Sequence, residues 1–268
     1  MKQLVVLITG AARGIGASTA RALAAQGDRL FLVGLEPEHL VQLSDELGAA
    51  WLEGDVTDPA AMERAVAEAL RLYGRIDCVV ANAGIARFAP LTTVENDAFR
   101  KVMDVNFFGV WNIMRAALPA LLESRGYFLG VASGASAIPL LAMNAYSPSK
   151  AATESLCDTL RGEVAHRGVD VGVAYFTFID TDMVAGAKTT ITDSLGEGLP
   201  AWLGKAYPVV SASAALVDGI RRRKARIVFP GQLGFFLALR WWINRLVPYG
   251  ARSSMRRLDA ILGSKRTG

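Results

Sequence analysis

The chain has 268 residues, 52% of them hydrophobic and 20% charged, enough apolar material to bury one substantial core in a single domain. Two cysteines, Cys78 and Cys157, exclude a disulfide framework and point to a reduced intracellular setting; two histidines, His39 and His166, far apart and without cysteine partners, leave no metal site. The formal charge of +4 is uneven, with a local +11 from Gly219 onward and a local −7 over the 218 residues before it.

Leu4 to Ile8 is a continuous aliphatic run, the pattern of a parallel strand buried on both faces. No charged leader or long apolar stretch precedes it, so export is not expected and the cytoplasm is. The run ends in Thr9-Gly10-Ala11-Ala12-Arg13-Gly14-Ile15-Gly16, and a helical pattern follows from Ala17 to Gln26. Strand, glycine turn and helix N-terminus together place bare amides and the positive end of a helix dipole where a phosphate binds. The T-G-x-x-x-G-x-G spacing differs from the usual G-x-G-x-x-G dinucleotide fingerprint.

A second strand, Leu30 to Val33, stops at Gly34-Leu35-Glu36-Pro37, and a helix runs on to about Leu47. Trp51 to Gly54 leads into Asp55-Val56, after which a helix capped near Asp58-Pro59 extends to Tyr73. Another buried strand, Cys78 to Ala81, ends at Asn82-Ala83-Gly84. This alternation, with right-handed crossovers, predicts an α/β fold: a Rossmann-like, doubly wound parallel sheet between two helical layers.

A long helical segment, about Asp97 to Glu123, carries Asn106 among bulky apolar neighbours, and a buried amide needs partners. Tyr127 to Ala132 reads as a strand ending at Ser133, and strand C-terminal ends are where open α/β sheets place their chemistry. Thirteen residues later, Tyr146-Ser147-Pro148-Ser149-Lys150 sets a phenol and an ammonium four residues apart, one above the other on a helix. A tyrosine titrating near ~10 needs its anion stabilised to exchange a proton at neutral pH. One cation at roughly 4 Å and an effective dielectric of about 20 supplies about 4 kcal/mol, or ~3 pKa units before desolvation. Ser133 has no nearby histidine and is a poor candidate for a hydrolase nucleophile.

Taken together, the Thr9–Gly16 turn, Asp55, Asn82-Ala83-Gly84, Asn106, Ser133 and Tyr146-x-x-x-Lys150 resemble the classical short-chain dehydrogenase/reductase (SDR) family in order and approximate spacing, over residues 4 to about 183. The resemblance implies an NAD(P)-dependent oxidoreductase interconverting an alcohol and a carbonyl. Ser133 would orient the substrate oxygen, Tyr146 exchange the proton, Lys150 lower the tyrosine pKa and hold the nicotinamide ribose, and Asn106 keep a water-linked relay in place. By the same resemblance the cofactor contacts would come from Gly10, Arg13, Gly14, Ile15, Gly16, Gly34, Leu35, Asp55, Val56, Asn82, Ala83, Gly84, Ile179 and Thr181, with Tyr146 and Lys150. One departure stands out: Phe176-Thr177 occupies the place of the family's Pro-Gly, setting two larger side chains where the backbone would approach the nicotinamide. Cofactor choice leans to NADP(H) over NAD(H). Gly34 presents no acid to repel a 2′-phosphate and Arg13 can pair with one, while Leu35 and Glu36 weigh the other way. Alternatives on the same fold are a non-catalytic nucleotide-binding or interaction protein, or a dehydration or epimerisation enzyme.

The stretch Val184 to Pro208 suits a substrate-covering segment or an ordinary surface loop. Arg226 to Pro230 reads as the last strand, which gives a catalytic and cofactor-binding domain over 1–231 and an extension over 232–268 that is not independent. That extension combines Leu233 to Leu239 and Trp241-Trp242-Ile243 with flanking arginines. It is too short and interrupted to span a bilayer; it fits a lid, a subunit contact or a helix lying in an anionic membrane surface, and each reading favours a hydrophobic substrate. Nucleic acid is a poor partner for so apolar a segment. A homodimer or homotetramer through the helices Asp97–Glu123 and Ser149–His166 is expected, since both look apolar on more than one face.

Overall fold

The computed structural model describes residues 2–138, 141–185 and 205–245. Seven strands, β1 (Val5–Thr9), β2 (Arg29–Gly34), β3 (Ala50–Glu53), β4 (Cys78–Ala81), β5 (Tyr127–Val131), β6 (Asp170–Phe176) and β7 (Arg226–Phe229), form one parallel sheet. Its order is β3-β2-β1-β4-β5-β6-β7. The order reverses between β1 and β4, and the crevice at that switch point is where open α/β sheets bind ligands.

The continuous apolar runs are explained by what covers the sheet. On one face Leu7, Phe31, Val79 and Phe128 meet helices α3 (Pro59–Tyr73), α5 (Gly109–Ser124) and α6 (Tyr146–Val164). On the other, Val6, Ile8, Leu32, Val80 and Leu129 meet α1 (Gly14–Ala24), α2 (Pro37–Leu47) and Val209–Arg221. Alternate residues serve alternate cores, so the central positions of these strands are apolar on both faces. Local chemistry sets the helix ends. Asp58 caps α3 by accepting from the Ala60 amide at 2.9 Å, with Pro59 in the first turn, and Gly48 and Gly74 close α2 and α3 in the left-handed conformation.

Two expected helices differ from their sequence reading. The long one is α4 (Asn96–Met103) joined to α5 through a π-helical turn, Asp104–Phe108, that holds Asn106. By length and composition this 29-residue stretch could cross a membrane. Val110, Ile113, Met114, Ala117 and Leu121 instead pack it into the sheet core. The other helix starts at Tyr146, three residues before Ser149, because Pro148 is tolerated in a first turn whose amides have no helical acceptors.

The C-terminal charge is partly paired. Arg221 pairs with Asp28, Arg222 and Lys224 with Asp218, Arg223 with Asp170, Arg226 with Asp158 and Arg240 with Glu154, at distances between 2.5 and 3.0 Å. Much of the basic segment is therefore answered by acids of the preceding domain.

Candidate active site

The β1–α1 turn is built by backbone rules. Gly10 and Gly14 have φ of 63° and 58°, and a side chain on Gly10 would meet the Ala83 Cα at 2.7 Å. A Cβ on Gly16 would lie 2.2 Å from the Gly10 carbonyl oxygen. The turn is stitched to the end of β4: Asn82 Nδ2 donates to the Thr9 and Gly10 carbonyls at 3.1 and 3.0 Å. The Thr9 hydroxyl in turn accepts from the Asn82 and Ala83 amides at 3.1 and 3.3 Å. No side chain caps α1, so its first amides keep their capacity to donate, with Ile15 half-buried among them. Thr181 packs against the same turn, its Cγ2 3.5 Å from where a Gly14 Cβ would stand.

Around the adenosine end the candidates are less convergent. Gly34 lies against Ala12 and Leu35 is 55% exposed. Asp55 spends Oδ1 on the Thr57 amide at 2.9 Å, while Val56 is buried against Gly109 and its carbonyl accepts from Asn112 at 2.9 Å. Arg13 is held between Glu36 at 3.1 Å and Asp182 at 3.4 Å, the latter opening the short turn Asp182–Ala185.

The four catalytic candidates come from three elements. Asn106 is fully buried: Oδ1 accepts from the Ile85 amide at 2.8 Å, and Nδ2 donates to the Ile85 carbonyl at 2.9 Å and the Ser149 hydroxyl at 3.0 Å. The π turn aims this amide at the loop after β4 and leaves its backbone carbonyl to accept from Thr153 at 2.9 Å. Lys150, 3% exposed, donates from Nζ to the Val131 carbonyl at 2.8 Å. A Cβ on Gly84 would stand 3.2 Å from Asn106 Oδ1 and 3.3 Å from Lys150 Nζ, so glycine lets the strand end approach both. Burial lowers the Lys150 pKa to about 8.

The expected tuning of Tyr146 is not what the protein atoms produce. Burial of its phenol raises the pKa, and a hydrogen bond from Ser133 offsets part of that rise. Lys150 Nζ lies 5.8 Å from the Tyr146 ring centroid and spends a proton on Val131 instead. Desolvation sets the direction here.

Tyr146 and Ser133 open on a pocket otherwise lined by Phe88, Ile138, Met143, Phe176, Phe178, Met183 and Leu233 among others, with no charged side chain among the described residues. Phe176 turns into the core and offers its carbonyl toward Ser133 Oγ at 3.5 Å, so only Thr177 of the unusual pair stands as a new polar group. Its hydroxyl is buried without a hydrogen-bond partner among the described residues. Ile179 is buried, and its carbonyl accepts from the Thr181 hydroxyl at 3.2 Å. Sequence reasoning missed several supports: Ser149 and Thr153, which lie three and seven residues after Tyr146 and share its helix face, and Leu233, for which no local signal exists. Residues 186–204, most of the expected substrate-covering segment, and 246–268 lie outside the described residues.

The uncapped helix start, the glycine contacts that any Cβ would close, and a buried lysine beside Gly84 fit a dinucleotide laid from α1 across β4. Comparison with known proteins agrees. Residues 4–192 match the family model for short chain dehydrogenase. The chain is 34% identical over 201 residues to dehydrogenase/reductase SDR family member 7B of Bos taurus, covering 70% of this chain and 62% of that protein. It is 31% identical over 218 residues to the 3-oxoacyl-(acyl-carrier-protein) reductase FabG of Salmonella typhimurium, covering 80% of this chain and 89% of that one. The alcohol dehydrogenase of the archaeon Thermococcus sibiricus, solved with 5-hydroxy-NADP, superposes with a TM-score of 0.74 at 27% identity, covering 85% of this chain and 94% of that one. The chain spans about 62% of the length of the 7B relative. With the parallel sheet, the glycine turn and these matches in hand, the chain belongs to the short-chain dehydrogenase/reductase family.

Proposed function

We propose that the protein interconverts a hydrophobic ketone or aldehyde and its alcohol, with NADP(H) preferred over NAD(H). The observation that carries this reading is the pairing of Tyr146 with Ser133 at the mouth of a pocket whose described lining is uncharged and largely apolar, with Lys150 and Asn106 buried behind. Bound nicotinamide supplies the hydride chemistry. The chain's own groups manage the proton: Ser133 donates to the carbonyl oxygen and fixes its position, and Tyr146, kept protonated by burial, gives up the phenolic proton. The Lys150 ammonium stabilises the phenolate that remains and holds the ribose. Asn106 has committed both amide hydrogens to Ile85 and Ser149, so its part is to hold that loop and offer Oδ1 to a water. Tyr146→Phe tests the reading. The ring packing survives and only the proton donor goes, so cofactor binding should persist while turnover falls by about a thousandfold. Retention of more than a tenth of the rate refutes it.

Cofactor preference rests on Arg13. Its guanidinium stands beside the turn at the end of β2, where a 2′-phosphate competes with Glu36 and Asp182 for the same donors. Arg13→Ala should erase the difference between NADPH and NADH dissociation constants. Unchanged NADPH binding defeats the preference. Assembly as a homodimer or homotetramer is supported by Phe108 and Trp111, 48% and 39% exposed on the α4–α5 helix. Sedimentation showing only monomer at micromolar concentration contradicts it. Two buried, unpaired cysteines suit a cytoplasmic setting, and the exposed aromatics of the C-terminal segment support peripheral contact with an anionic membrane.

A further inference from the structure

Ser133 closes β5 and opens a single 3₁₀ turn, Gly134–Ser136, whose own bonds are few. The Ala135 amide donates to Ser133 Oγ at 3.2 Å, and the Ser136 hydroxyl reaches the Ser133 carbonyl at 2.8 Å. Other supports come from outside the turn, and three of them lead to the C-terminal segment. Leu233, 1% exposed, covers Gly134 with its δ-carbons 3.1 and 3.3 Å from where a Cβ would stand. Asn244 Nδ2 donates to the Ala137 carbonyl at 3.0 Å. Between them runs a charged link: Ser136 Oγ lies 2.8 Å from Glu154 Oε2, and Arg240 donates to Glu154 Oε1 at 2.7 Å.

Glu154 sits four residues after Lys150 and eight after Tyr146, on one ridge of α6. It is 6% exposed, and a buried carboxylate without a counter-charge is strongly unfavourable. Arg240, from the far end of the chain, is the ion-pair partner that Glu154 has among the described residues. The helix that carries Tyr146 and Lys150 thus also anchors the turn that carries Ser133, and the anchor is completed by the tail. We propose that Glu154 and Arg240 are positioning residues for Ser133, making the segment 232–245 part of the machinery that fixes the substrate oxygen. The proposal rests on the reading of Ser133 given above.

The test compares Arg240→Ala, Arg240→Lys, Glu154→Gln, the double variant Glu154→Gln/Arg240→Ala and Ser133→Ala in the intact protein. Arg240 is half exposed, so folding should survive its truncation. Arg240→Ala and Glu154→Gln should each lower kcat by about tenfold with cofactor dissociation constants unchanged, and the double variant should lose no more than the worse single one, since the pair acts as a unit. Amide hydrogen exchange at Ala135 and Ile138 should quicken in both, and Arg240→Lys should restore both readouts. Unchanged kcat and unchanged exchange in the Arg240 and Glu154 variants, with Ser133→Ala inactive, overturn this proposal alone. Full turnover by Ser133→Ala overturns the role of Ser133 and the positioning claim with it.

Discussion

Two segments from opposite ends of the chain reach the same site, and they are held by different physics. The turn from Thr9 to Gly16 is fixed by what the backbone forbids: positive φ at Gly10 and Gly14, and a 2.2 Å clash waiting for any side chain on Gly16. The segment from Gln232 to Arg245 is fixed by what happens to lie opposite: Leu233 over Gly134, Arg240 on Glu154, Asn244 on Ala137. Steric rules are written in a few adjacent letters. Packing partners lie about a hundred residues apart and leave no local mark.

The largest effects should come from the backbone-governed side. Gly16→Ala drives a Cβ into the Gly10 carbonyl and Asn82 Nδ2, and neither neighbour is a flexible side-chain end free to move away. Strain of this kind costs about 3 kcal/mol, and NADPH affinity should fall by more than about a hundredfold as the amide cradle deforms. Thermal unfolding and cofactor fluorescence titration read the two quantities. Wild-type affinity would mean that the turn yields more easily than its contacts imply.

On the packing-governed side Leu233→Ala is the matching change. Removal of a fully buried leucine costs about 2–4 kcal/mol, and here it also removes a wall of the apolar pocket. KM for a bulky ketone should change while cofactor affinity stays put. A variant with both stability and KM intact would show that the tail merely rests on the domain.

This contrast explains what the sequence revealed. The parallel sheet was legible because its central strands, β1, β4 and β5, are buried on both faces and read as largely unbroken apolar runs. Tyr146, Lys150, Asn106 and Ser133 were legible as a spaced set, and the fold brings all four to one end of the sheet. The π turn at Asp104–Phe108 was not, since its sequence looks like uninterrupted helix. Nor was the direction of the Tyr146 shift. A four-residue spacing specifies proximity to Lys150 but says nothing of the burial that raises the phenol's pKa. The partial pairing of the tail's charge was not legible for the same reason: a local +11 cannot reveal that Asp28, Asp158, Asp170, Asp218 and Glu154 pair with six of its cations.

A pH series sharpens the comparison at the buried centre between the two segments. Lys150 has a folded pKa of about 8, below its ordinary value near 10.5. If its ammonium holds the ribose and stabilises the phenolate, kcat/KM for carbonyl reduction should fall about tenfold per unit as pH rises above 8. The stability effect has the opposite sign. The native state carries the cost of a buried charge in full below pH 8 and sheds it between about 8 and 10.5, because the unfolded chain binds the proton more tightly there. The stability gap between Lys150→Met and the parent should therefore narrow over that interval. A flat rate profile to pH 10 would remove the charged lysine from the mechanism.

The smallest effect on the folded molecule, and the most selective, is expected at the outer face of the tail. Trp241 and Trp242 are each 62% exposed and pack edge to face on one another, with ring centroids 4.7 Å apart. Phe235, 65% exposed, lies on the same segment, two residues after the buried Leu233 and so on the opposite side of the helix Leu233–Ala238. Their replacement by serine removes little buried area, so stability should change by less than about 0.5 kcal/mol. Binding to anionic vesicles, however, draws on these rings, because amphipathic indoles settle at the headgroup level while nearby arginines meet lipid phosphate. The ion pairs of the basic segment reduce that attraction, leaving the aromatics as the larger contribution. Flotation at low salt should then recover the parent with phosphatidylserine vesicles and lose the Trp241→Ser/Trp242→Ser variant, while sedimentation of the two proteins remains the same. If the variant instead floats as before and sediments as a smaller species, the two tryptophans belong to a contact between subunits.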